Sequence, residues 1–358
     1  MNLLIISLAG IGDTLFATPL IHELRANFPD ARIDALVLWN GSKDLLEGNP
    51  HLNSVYQKNL ITAGKTDALA FLGRLRKHRY DASINTHPQS RIHYRGVARL
   101  VNARQRLSHT YDNSSWLDGW LVNRSIPQEY QLHSIENNLR FLDFLGARPL
   151  LPTHEYEIYL SAAELSWAEE WIAGQKLAGR KLLGIHVGSG GTKNLALRRW
   201  PLASYGELIK RLNHDLPDLA ILLFGGPEEE KDHARLLIHA GNGQVFHPQT
   251  KNLRQAAALL KKCAGFLSVD TALMHVAAAM KVPHHVVIET PTWNKPIEPF
   301  NHPFSLVKNP AVAGRNLAYY RYDGRGIQGT NAELIRCMES VSVDAVYSVL
   351  KDALRGVF

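Results

Sequence analysis

The chain has 358 residues, more than one ordinary hydrophobic core encloses, so two domains facing across a cleft are expected. With 45% hydrophobic and 20% charged residues it is not a disordered chain. Two distant cysteines, Cys263 and Cys337, exclude a disulfide framework and a cysteine zinc site and fit a reducing cytoplasm, while a formal charge of +7 asks for an anionic partner.

Met1 to Leu8 is apolar, but Gly10, Gly12 and Asp13 break the run before it reaches the length of a signal-peptide core or a membrane span. Leu3 to Leu8 therefore reads as a buried strand. Leu15, Leu20, Ile21, Leu24 and Phe28 follow at helical spacing and end at Pro29; Ile33 to Leu38 is the next strand. Ala68, Leu69, Leu72 and Leu75 mark a helix, and Tyr80 to Asn85 a strand. Arg74, Arg76, Lys77, Arg79, Arg91, Arg95, Arg99, Arg104 and Arg106 stand against one acid, Asp81, in a local basic tract. No zinc-finger spacing or aromatic RNP-like pattern accompanies it, so nucleic acid is not the expected partner. The tract is either a solvated basic face or the meeting place for an anionic substrate.

A Trp-bearing helix from Ala162 to Gln175 precedes the Gly179 to Lys181 turn, where the second domain is expected to begin. Strands are predicted over Leu182 to Val187, Leu219 to Phe224 and Ala264 to Val269, with a helix opening at Pro201 and another running from Thr271 through Met280. Alternating strands and helices imply an α/β fold with mostly parallel sheets, and ligands then bind at the carboxyl ends of the strands. The boundaries are 1–178, 179–340 and a C-terminal helix within 341–358 that packs back on the first domain.

Four loops stand at such strand ends. The first lacks the third glycine of a dinucleotide fingerprint, since Leu15 stands there, so an NAD site is disfavoured. Gly10 and Gly12 allow a sharp turn that leaves Asp13 either as a helix cap or as a carboxylate base. The second, His186 to Lys193, lacks the ending of a Walker loop; its backbone N–H groups with Ser189 and Thr192 cradle phosphate, helped by Lys193, Arg198 or Arg199, or it is only a surface loop. In the third, Gly225 to Glu230, a carboxylate meets ribose hydroxyls or opens a helix. In the fourth, Asp270, Thr271 and His275 form an anion site or a cap with a core histidine.

Taken in order, L-L-I-I-S-L-A-G-I-G-D-T-L-F-A-T-P-L, N-P-H near residue 50, R-R-W-P around Trp200, F-G-G-P-E-E-E and D-T-A-L-M-H-V-A-A-A resemble the ADP-heptose:lipopolysaccharide heptosyltransferases of glycosyltransferase family 9. The resemblance implies a GT-B architecture of two Rossmann-like domains, and inverting transfer of heptose from ADP-heptose to a hydroxyl of the lipopolysaccharide inner core. It implies Asp13 as base; Gly12, Thr14, Arg91 and Arg95 on the acceptor side; and Gly188, Ser189, Thr192, Arg198, Glu229, Asp270, Thr271, Ala272 and His275 on the donor side. Glu229 would take the ribose. No metal or cofactor is expected, and the anionic glycolipid acceptor implies peripheral contact with the inner membrane surface. Ala272 replaces the family's usual glycine, and Arg198-Arg199 its usual lysine. The alternatives are a family 9 relative with another sugar or acceptor, and a nucleotide-binding scaffold without catalysis.

Overall fold

A computed structural model describes residues 1–240 and 244–354. They form two compact units, one comprising Met1–Tyr159, Lys295–Phe300 and Arg321–Arg325, the other Leu160–Asn294, Asn301–Tyr320 and the chain from Gly326 onward.

In the first unit the elements run β1 (Asn2–Ser7), α1 (Thr18–Asn27), β2 (Arg32–Val37), α2 (Asn40–Leu46), β3 (Ser54–Gln57), α3 (Lys65–Arg76), β4 (Ala82–Asn85), α4 (Ile92–Val101), β5 (Gln105–Thr110), α5 (Trp116–Leu121), β6 (Arg124–Pro127) and α6 (Ser134–Leu139). The strands pair in the order β3-β2-β1-β4-β5-β6, all parallel. Strand β1 lies at the centre, so its Leu3 to Ile6 run is apolar on both faces. Leu3 and Ile5 pack under α1, whereas Leu4 and Ile6 pack under α3 and α4. Each such side chain contributes roughly 1.5–3 kcal/mol on burial.

In the second unit the order is α7 (Ala162–Gly174), β7 (Lys181–His186), α8 (Leu202–Asp215), β8 (Leu219–Phe224), α9 (Glu230–Ala240), β9 (Val245–Phe246), α10 (Leu253–Leu260), β10 (Gly265–Ser268), α11 (Ala272–Ala279), β11 (His284–Ile288), β12 (Ser305–Val307), α12 (Asn316–Tyr319), α13 (Asn331–Glu339) and α14 (Val343–Ala353). Its parallel sheet reads β12-β11-β10-β7-β8-β9. Both sheets thus have the doubly wound strand order 3-2-1-4-5-6. The order reverses direction between β1 and β4 in one unit and between β7 and β10 in the other. In each unit, the loops leaving those two strands border that sheet's own switch point, where such sheets bind ligands.

Two boundaries differ from expectation. The second unit begins at Leu160, before the Gly179 turn, because α7 packs on α10 and Arg254 donates to Glu164 at 2.9 Å. That guanidinium pulls the Glu164 carboxyl down to about 2. The C-terminal helix, expected to pack back on the first domain, is part of the second unit's own core. Val346, Tyr347, Leu350 and Leu354 make one stripe that enters the core formed by α8 and the β11–β12 edge. Residues 355–358 of the expected 341–358 segment lie outside the described residues. Among the described residues, no helix is long and apolar enough to cross a membrane.

Candidate active site

In the first unit, the chain leaving β1 turns at Gly10 and enters a 3-10 turn, Gly12–Ala17, before α1 begins. Asp13 sits at the second position of that turn, and its Oδ2 accepts a hydrogen bond from Gly10 N at 2.7 Å. A Cβ at position 10 would lie 2.9 Å from this oxygen, so glycine is what lets the carboxylate close the loop. The helix-cap and base readings are therefore not exclusive: one carboxylate oxygen fixes the loop, and that bond orients the group.

Burial holds the phenols of Tyr94, Tyr111 and Tyr156 above their ordinary range, and the Asp13 charge adds to the rise in each. Asp13 thus lies within electrostatic reach of three tyrosines from separate segments. The loop after β4 is tied to the β1 loop by Gln89, whose Oε1 accepts from Leu8 N at 3.2 Å; Tyr111 Oη in turn accepts from Gln89 N at 2.8 Å.

The residues expected on the acceptor side divide. Arg91 is half-buried at the start of α4, and its charge opposes the rise at Tyr94. Arg95 does not present its charge to a ligand: it is 1% exposed, ion-paired through Nε with Asp118, and donates to the carbonyls of Gln89 and Ser90. A fixed guanidinium satisfies those buried acceptors, which explains why it is inside. Gly12 is buried, and Thr14 turns inward, donating to Ser42 Oγ at 2.8 Å. Thr14 holds the turn in place and reaches no surface.

In the second unit, the loop after β7 closes on itself through Ser189 Oγ, which donates to Leu195 O at 3.1 Å. Arg199 Nη2 donates to Ser189 O at 2.9 Å and to Glu229 Oε1 at 3.0 Å, while Glu229 Oε2 accepts from Gly226 N at 3.0 Å. A Cβ on Gly188 would lie 2.3 Å from Glu229 Oε1, so the carboxylate packs directly on the glycine backbone. Glu229 was expected to take a ribose. Both of its oxygens are engaged in bracing this loop, because Arg199 supplies the cation that its burial demands. Glu228, with its side chain 70% exposed, stands beside it toward Gly191. Thr192 is exposed at the tip of the loop.

After β10, Asp270 Oδ2 accepts from Arg198 Nη1 at 2.6 Å and from Thr292 Oγ1 at 2.7 Å. Arg198 Nε is buried with no partner among the described residues. Thr271 and not Asp270 caps α11, its Oγ1 accepting from Leu273 N at 3.1 Å, and Ala272 opens the helix. Burial, reinforced by the Arg198 charge, drives His275 down to about 3, so it is neutral at any physiological pH. The structure therefore joins the loops after β7 and β10 through Arg198. Thr292, which the sequence did not single out, belongs to the same network.

Elsewhere in the first unit, His22, His51 and Glu157 offer ligand atoms within 4.8 Å of one another. Two imidazoles and a carboxylate suit a zinc-class ion. They also satisfy each other: His22 Nδ1 is 2.6 Å from Glu157 Oε1, Tyr159 Oη donates to Glu157 Oε2 at 3.0 Å, and the two imidazoles stack at 3.8 Å. Such a clasp holds the Glu157 segment on α1 without any ion.

The profile of "Glycosyltransferase family 9 (heptosyltransferase)" matches residues 68–311. The chain is 26% identical over 291 residues to lipopolysaccharide heptosyltransferase 3 of Escherichia coli, covering 76% of this chain and 78% of that one. Among solved structures, a glycosyl transferase family 9 protein from Veillonella parvula superimposes with a TM-score of 0.76 at 16% identity, covering 99% of this chain and 97% of its own. The E. coli ADP-heptose lps heptosyltransferase II gives a TM-score of 0.74 at 19% identity, covering 100% and 99%. These likenesses show the shared fold of two Rossmann-like units, and the profile match, over more than half of the sequence and including the loops after β7, β8 and β10, shows that this chain belongs to glycosyltransferase family 9.

Proposed function

We propose that this glycosyltransferase moves a heptose from ADP-heptose to a hydroxyl of the lipopolysaccharide inner core, with inversion at the anomeric carbon. The observation that carries this is the family 9 match, whose relatives are named for heptose transfer to lipopolysaccharide and, in the E. coli heptosyltransferase II structure among others, for ADP-heptose. Asp13 precedes the matched span, so its role is argued from the loop geometry and the opening motif.

In this reading Asp13 accepts the proton of the acceptor hydroxyl while that oxygen forms its bond to the anomeric carbon. The bond from that carbon to the phosphate oxygen breaks on the opposite side, and ADP leaves with the electron pair. An aspartate is ionised at neutral pH and needs no special tuning for this task. The Gly10 bond holds it in place before the substrate arrives. Arg91 meets the acceptor's anionic groups.

On the donor side, the backbone of Gly188 and Ser189 with the Thr192 hydroxyl receives phosphate oxygens. The N-terminus of α11, at Thr271 and Ala272, supplies N–H groups for the diphosphate as it gains charge. Arg198, steered by Asp270 and Thr292, turns its remaining N–H groups to the same oxygens. His275, being neutral, acts as a hydrogen-bonding group and not as a cation. Glu228 is the carboxylate we assign to the ribose hydroxyls, with Glu229 holding the loop for it.

A donor screen tests the assignment, using a truncated core oligosaccharide as acceptor and mass detection of the product. A gain of one heptose from ADP-heptose is expected. Transfer from another nucleotide sugar in preference would overturn the donor, and ADP binding with no transfer from any donor would leave a scaffold.

A further inference from the structure

Helices α3, α4 and α5 of the first unit lie side by side on one face of its sheet, anchored through Leu72, Leu75, Ala98, Val101 and Val122. Their outward surface carries Leu69, Leu100, Trp116, Leu117 and Trp120, all exposed. Trp116 is 82% exposed and Trp120 63%, and their four-residue spacing puts both on one side of α5. Large aromatics left in water at this density mark an interaction surface.

The helix that displays them is firmly held. Ser115 and Asp118 form a capping box, and Asp118 is ion-paired with buried Arg95. The charge that these three helices expose is mainly positive. Arg74, Arg76 and Lys77 are exposed where α3 ends, and the Arg99 guanidinium lies 5.0 Å over the Trp120 ring. On these three helices the acids are Asp67, paired with Lys58, and the buried Asp118.

Tryptophan beside arginine on a positive face matches the headgroup layer of an anionic bilayer. The indole has an apolar body and one N–H donor, and arginine draws its stem over apolar surface while its head stays with phosphate. A second copy of the chain fits poorly, because a two-fold interface here would set the same arginines against each other. We propose that the α3–α4–α5 face docks on an anionic phospholipid membrane, with Trp116 and Trp120 seated among the headgroups and Arg74, Arg76 and Arg99 drawing the surface in. This rests on the reading that the acceptor is an anionic glycolipid, and it names the surface that meets the membrane holding that acceptor.

The test is flotation of the full chain with vesicles of phosphatidylethanolamine and phosphatidylglycerol at 3:1, against vesicles of phosphatidylcholine alone. Binding to the anionic vesicles that weakens with salt is expected. Trp116→Ala with Trp120→Ala should lower the apparent affinity at least tenfold, and Arg74→Gln with Arg76→Gln about fivefold per arginine. Turnover of a water-soluble core oligosaccharide by the tryptophan variant should equal wild type, which shows that it folds. The proposal is overturned if wild type ignores anionic vesicles, if the tryptophan variant floats as wild type does, or if light scattering shows that the same substitutions split a dimer. Vesicle binding without transfer from any nucleotide sugar would refute the enzymatic reading and still support the surface.

Discussion

Replacing Glu229 by Gln separates a ligand from a brace. In the structure one carboxylate oxygen accepts from Arg199 and the other from Gly226 N, and the group is buried against Gly188. A glutamine has one acceptor oxygen and one NH2 group, so either orientation turns a donor toward a donor. The loss is one hydrogen bond to a charged group, roughly 1.5–3 kcal/mol. For a unit of this size, about 2 kcal/mol lowers Tm by about 4–8 °C. Thermal unfolding by circular dichroism measures it, run beside Glu228→Gln, whose exposed side chain should leave Tm unchanged and raise the donor KM. An unchanged Tm for Glu229→Gln, together with a donor KM raised tenfold, would refute the bracing role and return the ribose to Glu229.

Arg95→Ala strands Asp118 in the interior and should cost about 3–5 kcal/mol, read as a large fall in Tm, whereas Arg91→Ala should leave Tm nearly unchanged and raise the acceptor KM; the reverse pattern would show that Arg95 is the ligand. Stability should also fall in acid. Burial drives His109 and His275 to about 3 and His186 to about 4, and holds His87 and His285 well below the ordinary value. A lowered folded-state pKa means that the unfolded chain takes up protons first, so this stability is complete above pH 6.5 and is lost as pH falls toward the folded values. Each such histidine removes about 2 kcal/mol by pH 5. A Tm that is flat from pH 7.5 to 5 would contradict the buried neutral assignment.

The central strands were legible because a strand buried on both faces must be a continuous apolar run, as in Leu3 to Ile6 or Leu219 to Phe224. Strands β3, β5, β6, β9, β11 and β12 were not. Gln105–Thr110 and Arg124–Pro127 are polar, and their hydrogen-bonding neighbours, not their composition, make them strands. The unit boundary depended on an Arg254–Glu164 pair separated by 90 residues, which no local pattern reveals. Among candidate site residues, Asp13 and Asp270 drew notice because glycines or small residues at a strand end announce a turn that carries a carboxylate. Arg95 and Arg91 look alike in sequence, and only the partner Asp118 separates a buried brace from a half-exposed cation. Tyr94, Tyr111 and Tyr156 carry no shared spacing, so their convergence near Asp13 had no signal at all.

The most direct test of Asp13 as the base is Asp13→Asn, assayed for heptose transfer from ADP-heptose to a core oligosaccharide and for ADP-induced thermal stabilisation. Asparagine keeps an oxygen for Gly10 N, so the loop should hold, and the rise in Tm with ADP should match wild type. A fall in kcat of about 10²–10⁴, the usual worth of a positioned base, is expected. Wild-type turnover by Asp13→Asn would contradict it.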